Sequence, residues 1–297
     1  MSAARSTSGA KSGLAPGAAP VADGSATRPV VSAITVSYHT GRRLRDGLYA
    51  LLFDPQISEI VLVDNGNPPA DQAWLDDLAT RHSARLKLVR PQENLGFGRA
   101  CNLGVREARG NLLLFINPDA VMKRNSVKAL VAASAGKPVP FLVGGKLFGL
   151  DGVEQRGARR RELTLMRAMG LAPWTQEHTP APDGPVPMDV VSGAFFLMAK
   201  HQFLMLDGGF DDAYFLHVED VDLCRRVREA GGTVIYQPQA GALHYGSTSD
   251  VTSAQIAAYK ADSLVHYFRK FARGPVSKLA NIVLLPLMAR AVRRRGN

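Results

Sequence analysis

The stretch VVSAITVSYHTGRRLRDGLYALLFDPQISEIVLVDN, residues 30–65, decides the fold class. Its first nine residues are mostly apolar and β-branched without polar alternation, as a strand covered on both faces requires. A helix is expected from about Arg42 to Phe53. Pro55 then opens a second apolar run, ISEIVLVDN, which the turn residues Asn65-Gly66-Asn67-Pro68 close. Strand, helix and strand in that order imply a parallel pair joined by a crossover. Working outward, a helix near Asp71 to His82, a strand in LKLVRP (86–91), a helix from Gly96 to Ala108 and a strand in NLLLFINPD (111–119) continue the alternation. The expected fold is therefore α/β, one domain around a central, mainly parallel sheet flanked by helices.

Beyond Asp119 the pattern loosens into a helix at Asn125 to Ala135, a strand in FLVGG (141–145) and a stretch from 151 to 187, rich in Arg, Pro and Gly, that reads as a surface insertion. Order resumes with MDVVSGAFFLMAK (188–200), a helix beginning near Glu219, a strand in TVIYQP (233–238) and a helix from about Ser253 to Phe271. Residues 1–28, with eight Ala and five Ser, carry no apolar period and are expected to form an unstructured leader. They lack the continuous apolar run of a signal peptide. The expected division is a leader over 1–28, a catalytic domain over 29–275 and a C-terminal helical extension, a basic amphipathic tail, over 276–297.

Apolar residues make up 46% of the chain and charged residues 21%, which excludes a mostly disordered chain and a polytopic membrane protein. The formal charge of +10 belongs to the ends. Arg5, Lys11 and Arg28 against Asp23 contribute +2, and eight Lys or Arg without an acid contribute +8 after residue 262, so the body between is neutral. Nucleic acid is thus not an expected partner, since these terminal basic residues have no aromatic platforms among them beyond Tyr267, Phe268 and Phe271. Cys101 and Cys224 have no C-x-x-C spacing, so neither a zinc site nor a disulfide framework is expected, and a reducing cytoplasm fits. In VSKLANIVLLPLMARAVRRR (276–295), eleven uncharged residues separate Lys278 from Arg290, too few for the roughly 20 that span a bilayer. The tail is expected to lie on the anionic inner face of the cell membrane, making the protein cytoplasmic and peripheral. The alternative is a terminal helix packed on the body.

In open parallel sheets ligands gather at the carboxyl ends of strands. Ser37, Tyr38, His39 and Thr40 leave the first strand, Asp64 and Asn65 the second, Glu93, Asn94 and Gly96 follow the third, and Asn117, Pro118 and Asp119 leave the fourth. Asp64 could cap its own turn or face the crevice. Asn94-Leu95-Gly96-Phe97-Gly98-Arg99 opens a helix with two glycines, which would let backbone approach a phosphate while Arg99 faces it. It is not a dinucleotide fingerprint, because the glycines do not follow the first strand and no third stands three places after Gly98. Asp119 could give a carboxylate to Mg²⁺ or Mn²⁺ beside diphosphate oxygens, or merely begin a turn. In GGFDDAYFLHVEDVDLCRRV (208–227), five acids sit among aromatics, which implies partly buried carboxylates with raised proton affinity, as a general base for a sugar hydroxyl needs. Glu219 and Asp220 are consecutive and so point different ways. His244 could be a metal ligand or a core histidine.

Taken in order, VSYHT, VLVDNG, ENLGFGRACNLGV, LLLFINPDA, SGAFFLMAK, the acidic run and ALHYGSTS resemble the inverting family-2 glycosyltransferases, especially their bacterial rhamnosyltransferase-like branch, over Val30 to Ser249. The resemblance implies a nucleotide-diphospho-sugar transferase (GT-A) fold. It further implies a nucleobase site at Val36, Ser37, Tyr38 and Asp64, and a donor path along Asn94, Gly96, Arg99 and Asn117. Asp119 and His244 would hold the metal, Mg²⁺ or Mn²⁺, and Asp220, with Glu219 beside it, would be the catalytic base. The implied reaction is transfer of a sugar, L-rhamnose from dTDP-L-rhamnose foremost, to a saccharide or lipid-linked saccharide in surface polysaccharide (O-antigen) synthesis. The sequence departs from the family at His39, where Asn is commoner, at Asn117, which replaces the first acid of the metal motif, and at His217, where Tyr or Gly is commoner. A UDP-hexose donor and a non-catalytic, membrane-associated nucleotide-binding scaffold are the competing expectations. A sugar nucleotidyltransferase would need a Gly-rich phosphate loop where this chain has SYHTGRR.

Overall fold

The computed structural model describes residues 30–176, 179–246 and 251–294. The leader expected over 1–28 lies outside the described residues, as do Arg295 and the last three residues of ALHYGSTS. The first half alternates as expected: β1 (Val31–Ser37), α1 (Arg43–Leu52), β2 (Ile57–Asp64), α2 (Pro69–Arg81), β3 (Leu86–Val89), α3 (Phe97–Glu107) and β4 (Leu112–Ile116). There follow β5 (Ala120–Met122), α4 (Ser126–Ser134), β6 (Phe141–Phe148), β7 (Arg159–Arg160), α5 (Leu165–Ala168), β8 (Val186–Pro187), β9 (Val190–Val191), β10 (Phe195–Ala199) and α6 (Lys200–Met205). The chain closes with α7 (Glu219–Glu229), β11 (Thr233–His244), α8 (Ser253–Lys270) and α9 (Gly274–Arg294).

The main sheet runs β3-β2-β1-β4-β10-β6-β11-β5, with β8 also on β11. β3, β2, β1, β4, β6 and β11 share one direction, while β10 is antiparallel to both its neighbours and β5 is antiparallel to β11. The sheet is thus mainly parallel, as expected, but mixed. β1 is buried along its whole length and β2 everywhere except Ser58, which is why neither shows polar alternation. Phe115, Phe196, Phe203 and Phe210 are buried together, with Phe115 stacked on Phe196 at 4.6 Å between ring centres. They fasten β4 and β10 to the segment that leads into the acidic run.

Two features of topology bring the strand ends together. β11 is irregular between Gln237 and Gly241, so its first part pairs with β8 and its last three residues pair with β5. Only Asn117, Pro118 and Asp119 separate β4 from β5, so the pairing Ala120↔His244 carries the end of β11 to the end of β4. The insertion also contributes structure: β7 pairs with β9 in a separate two-stranded sheet, which seats Arg159 and Arg160 in buried positions.

α9 corrects the count made on the tail. The helix runs 21 residues and continues through Lys278 and Pro286, so by length and composition it could cross a membrane, although most of its apolar window is exposed. Leu285, Met288 and Ala289 are buried. Asn281 Nδ2 donates to the Phe268 carbonyl at 2.8 Å and Arg293 pairs with Asp262, so α9 is tied to α8 toward both ends.

Candidate functional site

At the end of β4, the Asp119 carboxylate is buried and faces His244, with Oδ1 3.3 Å from Nε2. The other oxygen, Oδ2, accepts the Gly246 N–H at 2.9 Å. Asn117 Nδ2 lies 3.1 Å from His244 Nε2. Asn117, Asp119 and His244 therefore converge on one point. A carboxylate oxygen and an imidazole nitrogen form a donor pair suited to Mn²⁺ or Mg²⁺, with the Asn117 amide beside them. Among the described residues no third His, Cys, Asp or Glu joins them, so donor oxygens and water would complete the shell. Such a metal would neutralise charge on a leaving diphosphate.

The Glu-Asp pair opens α7, after a segment in which His217 and Val218 both hold left-handed φ, 68° and 72°. That conformation is costly for a β-branched residue; it sets where α7 begins, and as consecutive helical residues the two acids leave it in different directions. Asp220 Oδ2 accepts from Arg160 Nη2 and from the Gly193 N–H at 2.8 Å, while Oδ1 accepts the Val221 N–H at 2.8 Å. Glu219 is buried with Oε2 unbonded and its Cβ near Gly98. Burial, and then the charge of Asp220, push its carboxyl well above the ordinary range. The Gly193-Ala194 step ties this pair to the Asn117–Asp119–His244 corner: Gly193 donates to Asp220, and the Ala194 carbonyl accepts the Asn117 N–H at 2.9 Å.

The other acids of the run are divided. Burial would raise the Asp211 carboxyl, but hydrogen bonds from Lys270 and His266 outweigh it and hold the group well below the ordinary range. Asp222, wholly buried, pairs with Arg226 and Lys270 and accepts from Tyr214 Oη. These two acids fix α7 to α8, and Asp212 is exposed.

At the donor side, the ends of β1, β2 and β3 are stitched together. Ser37 Oγ bonds Thr40 and Asn67, and Val36 is buried in the core. Asp64 takes the turn role: Oδ1 accepts from the N–H and side chain of Asn67, and Oδ2 from Arg90 at 2.8 Å. Burial opposes its ionisation, but Arg90 and Asn67 together hold it below the usual range. Asn94 Oδ1 accepts from Asn65 and from the Gly96 N–H. Tyr38 lies over Gly66, and Arg99 is exposed. Gly96 has φ of 76°, and a Cβ there would lie 2.2 Å from the Phe215 carbonyl. The Phe97 N–H donates to that same carbonyl, so Gly96 lets two chain segments approach closely here.

Two residues of the site carry no recognisable motif. Arg160 reaches Asp220 from β7, and Gln155 hydrogen-bonds His244 through both ends of its amide. Both lie in the segment that reads as an insertion, where the only signal was the run Arg159-Arg160-Arg161.

The chain is 27% identical over 262 residues to the N-acetylglucosaminyl-diphospho-decaprenol L-rhamnosyltransferase of Mycobacterium tuberculosis, spanning 80% of this chain and 83% of that protein. It is 28% identical over 167 residues to the rhamnosyltransferase WbbL of Escherichia coli, spanning 50% of this chain and 61% of that one. Among solved structures, the fold resembles a mannosyltransferase of Pyrobaculum calidifontis in complex with GDP-Man and Mn²⁺ (TM-score 0.59, 18% identity, 90% of this chain and 74% of that). It also resembles GalNAc-T7 with UDP, GalNAc and Mn²⁺ (TM-score 0.65, 16% identity, 81% of this chain and 48% of that). Residues 32–201 match the model of the family described as Glycosyl transferase family 2, more than half of the chain, and the protein belongs to that family.

Proposed function

We propose that the protein is an inverting, metal-assisted glycosyltransferase that moves L-rhamnose from dTDP-L-rhamnose to a hydroxyl of a lipid-linked saccharide in envelope polysaccharide synthesis. The observation that carries this reading is the Gly193-Ala194 step, which holds Asp220 on one side and the Asn117 end of the metal corner on the other. Leaving-group stabilisation and proton acceptance need to lie that close for a single displacement. In this reading Asp119 and His244 would hold the metal, which would supply charge neutralisation for the leaving diphosphate. Arg160 and Gly193 fix Oδ2 of Asp220, so Oδ1 takes the proton of the attacking hydroxyl. Val36, Ser37, Tyr38 and Asp64 shape the nucleobase end, and Asn94, Gly96 and Arg99 border the donor. The rhamnosyl choice and the polyprenyl-linked acceptor follow the printed activity of the mycobacterial relative. The test is incubation with dTDP-L-rhamnose, UDP-hexoses and a polyprenyl-diphosphate-linked saccharide, with and without Mn²⁺. Metal-dependent rhamnosyl transfer with inverted anomeric configuration is expected; retention of configuration, or transfer only from a UDP-hexose, would replace the reading.

We also infer that α9 lies on the inner membrane surface. Val276, Leu279, Ile282, Val283 and Leu287 are exposed along a helix whose opposite side packs on the body, and Lys278, Arg290, Arg293 and Arg294 accompany them. Such a face favours anionic lipid, each basic residue adding about 1 kcal/mol near the surface. The ties from Asn281 and Arg293 to α8 favour a helix lying flat over one that crosses.

A further inference from the structure

We propose that Gln155 is a positioning residue that fixes which nitrogen of His244 is offered to a divalent cation, an inference that rests on the reading of His244 as a metal ligand. The logic begins with an acceptor that cannot be anything else. The His244 main-chain carbonyl lies 2.7 Å from one end of the Gln155 amide, and that end must be the donor, Nε2. The other end, Oε1, is then the acceptor facing His244 Nδ1 at 2.7 Å, so Nδ1 carries the proton. In the neutral ring Nε2 is left bare, pointing at Asn117 and Asp119. Asn117 Nδ2 can donate to that lone pair, but Asp119 Oδ1, 3.3 Å away, is another acceptor. A neutral ring so held presents the Nε2 lone pair beside the Asp119 carboxylate, the pair of donors a divalent cation takes, and the Gln155 amide keeps Nδ1 as the protonated nitrogen.

The amide is itself held. The Gln155 N–H donates to the Leu147 carbonyl at the end of β6, and its carbonyl accepts the Ala158 N–H. The preceding Glu154 is locked by Arg159 and by Tyr236 Oη of β11. The insertion is thus anchored to the two strands flanking the metal corner, and Gln155 is the side chain it turns inward. Outer partners of this kind, which set tautomer and ring orientation, commonly change metal affinity about tenfold to a hundredfold when removed.

The test uses the full chain, with Mn²⁺ titrated in the presence of dTDP and free Mn²⁺ read by electron paramagnetic resonance. Nitrogen-15 spectra of the histidine rings without metal report the tautomer directly. The proposal expects the Nδ1–H form at His244 in the unaltered protein, and a Gln155→Leu affinity for Mn²⁺ about tenfold to a hundredfold weaker. Gln155→Glu keeps one acceptor for Nδ1–H but loses the bond to the His244 carbonyl, so it is expected to hold the Nδ1–H tautomer with an affinity above that of Gln155→Leu, which separates positioning from simple loss of packing. An Nε2–H ring in the unaltered protein, or Gln155→Leu binding as tightly as the original, overturns the proposal. His244→Ala with undiminished Mn²⁺ binding overturns the metal reading instead, and the proposed purpose of Gln155 with it.

Discussion

Asp220 and Glu219 show how one peptide step separates two carboxylates. Asp220 is paired with a guanidinium and two N–H groups, whereas Glu219 turns into the interior beside Gly98 with an oxygen unbonded. The consequence for stability has a definite sign. A buried carboxyl whose folded affinity for protons is raised contributes most below the unfolded value, and that contribution is lost as the pH rises toward the folded one. Glu219→Gln is therefore expected to match the original protein near pH 4.5 and to exceed it increasingly toward neutrality, by at most about 1.4 kcal/mol per pH unit. Thermal melts across that range check it; a constant difference would mean that Glu219 is ionised in the folded chain. Arg160→Met should leave donor binding intact and lower kcat about ten to a hundredfold, because the base loses its orientation. Unchanged kcat with a raised KM would make Arg160 a binding residue only.

At the level of elements, the left-handed pair His217-Val218 sets the entry of α7, and the backbone cost can be measured at His217. His217 is exposed, so His217→Gly is expected to raise stability by about 1 kcal/mol in denaturant unfolding and to lower turnover as the acids lose their fixed direction. A loss of stability would show that the imidazole itself holds the turn. The helices and strands up to Asp119 were legible from sequence because each apolar run ends at a Pro, Gly or Asn and each buried strand lacks alternation. β10 and β5 were not legible as antiparallel, since a buried strand reads the same in either direction. Gln155 and Arg160 were hidden for another reason: isolated polar residues in an Arg- and Gly-rich stretch have no period, and only β7–β9 pairing and the return beside β6 aim them at the site. The glycines of ENLGFGR read as a place where backbone comes close, and at Gly96 the Phe215 carbonyl is one such neighbour. Sequence marks where backbone comes close without saying to what.

For the whole molecule, the formal charge sits at the ends of the sequence, and in the proposed reading the exposed apolar face of α9 would meet lipid. Leu279→Glu with Ile282→Glu should abolish sedimentation with anionic vesicles of phosphatidylglycerol while leaving donor binding unchanged. Retained sedimentation would place attachment elsewhere on the surface. The proposed chemistry divides the labour: Asp119 and His244 would hold the metal and donor, and the Asp220 carboxylate would take the acceptor proton. The most direct measurement compares the original chain, Asp119→Ala and Asp220→Asn for donor-dependent thermal stabilisation by dTDP-L-rhamnose with Mn²⁺ and, on the same samples, for turnover. The account predicts that Asp220→Asn keeps the stabilisation but loses at least about a hundredfold in turnover, and that Asp119→Ala loses both. Near-original turnover in Asp220→Asn, or full metal-dependent stabilisation in Asp119→Ala, would contradict it.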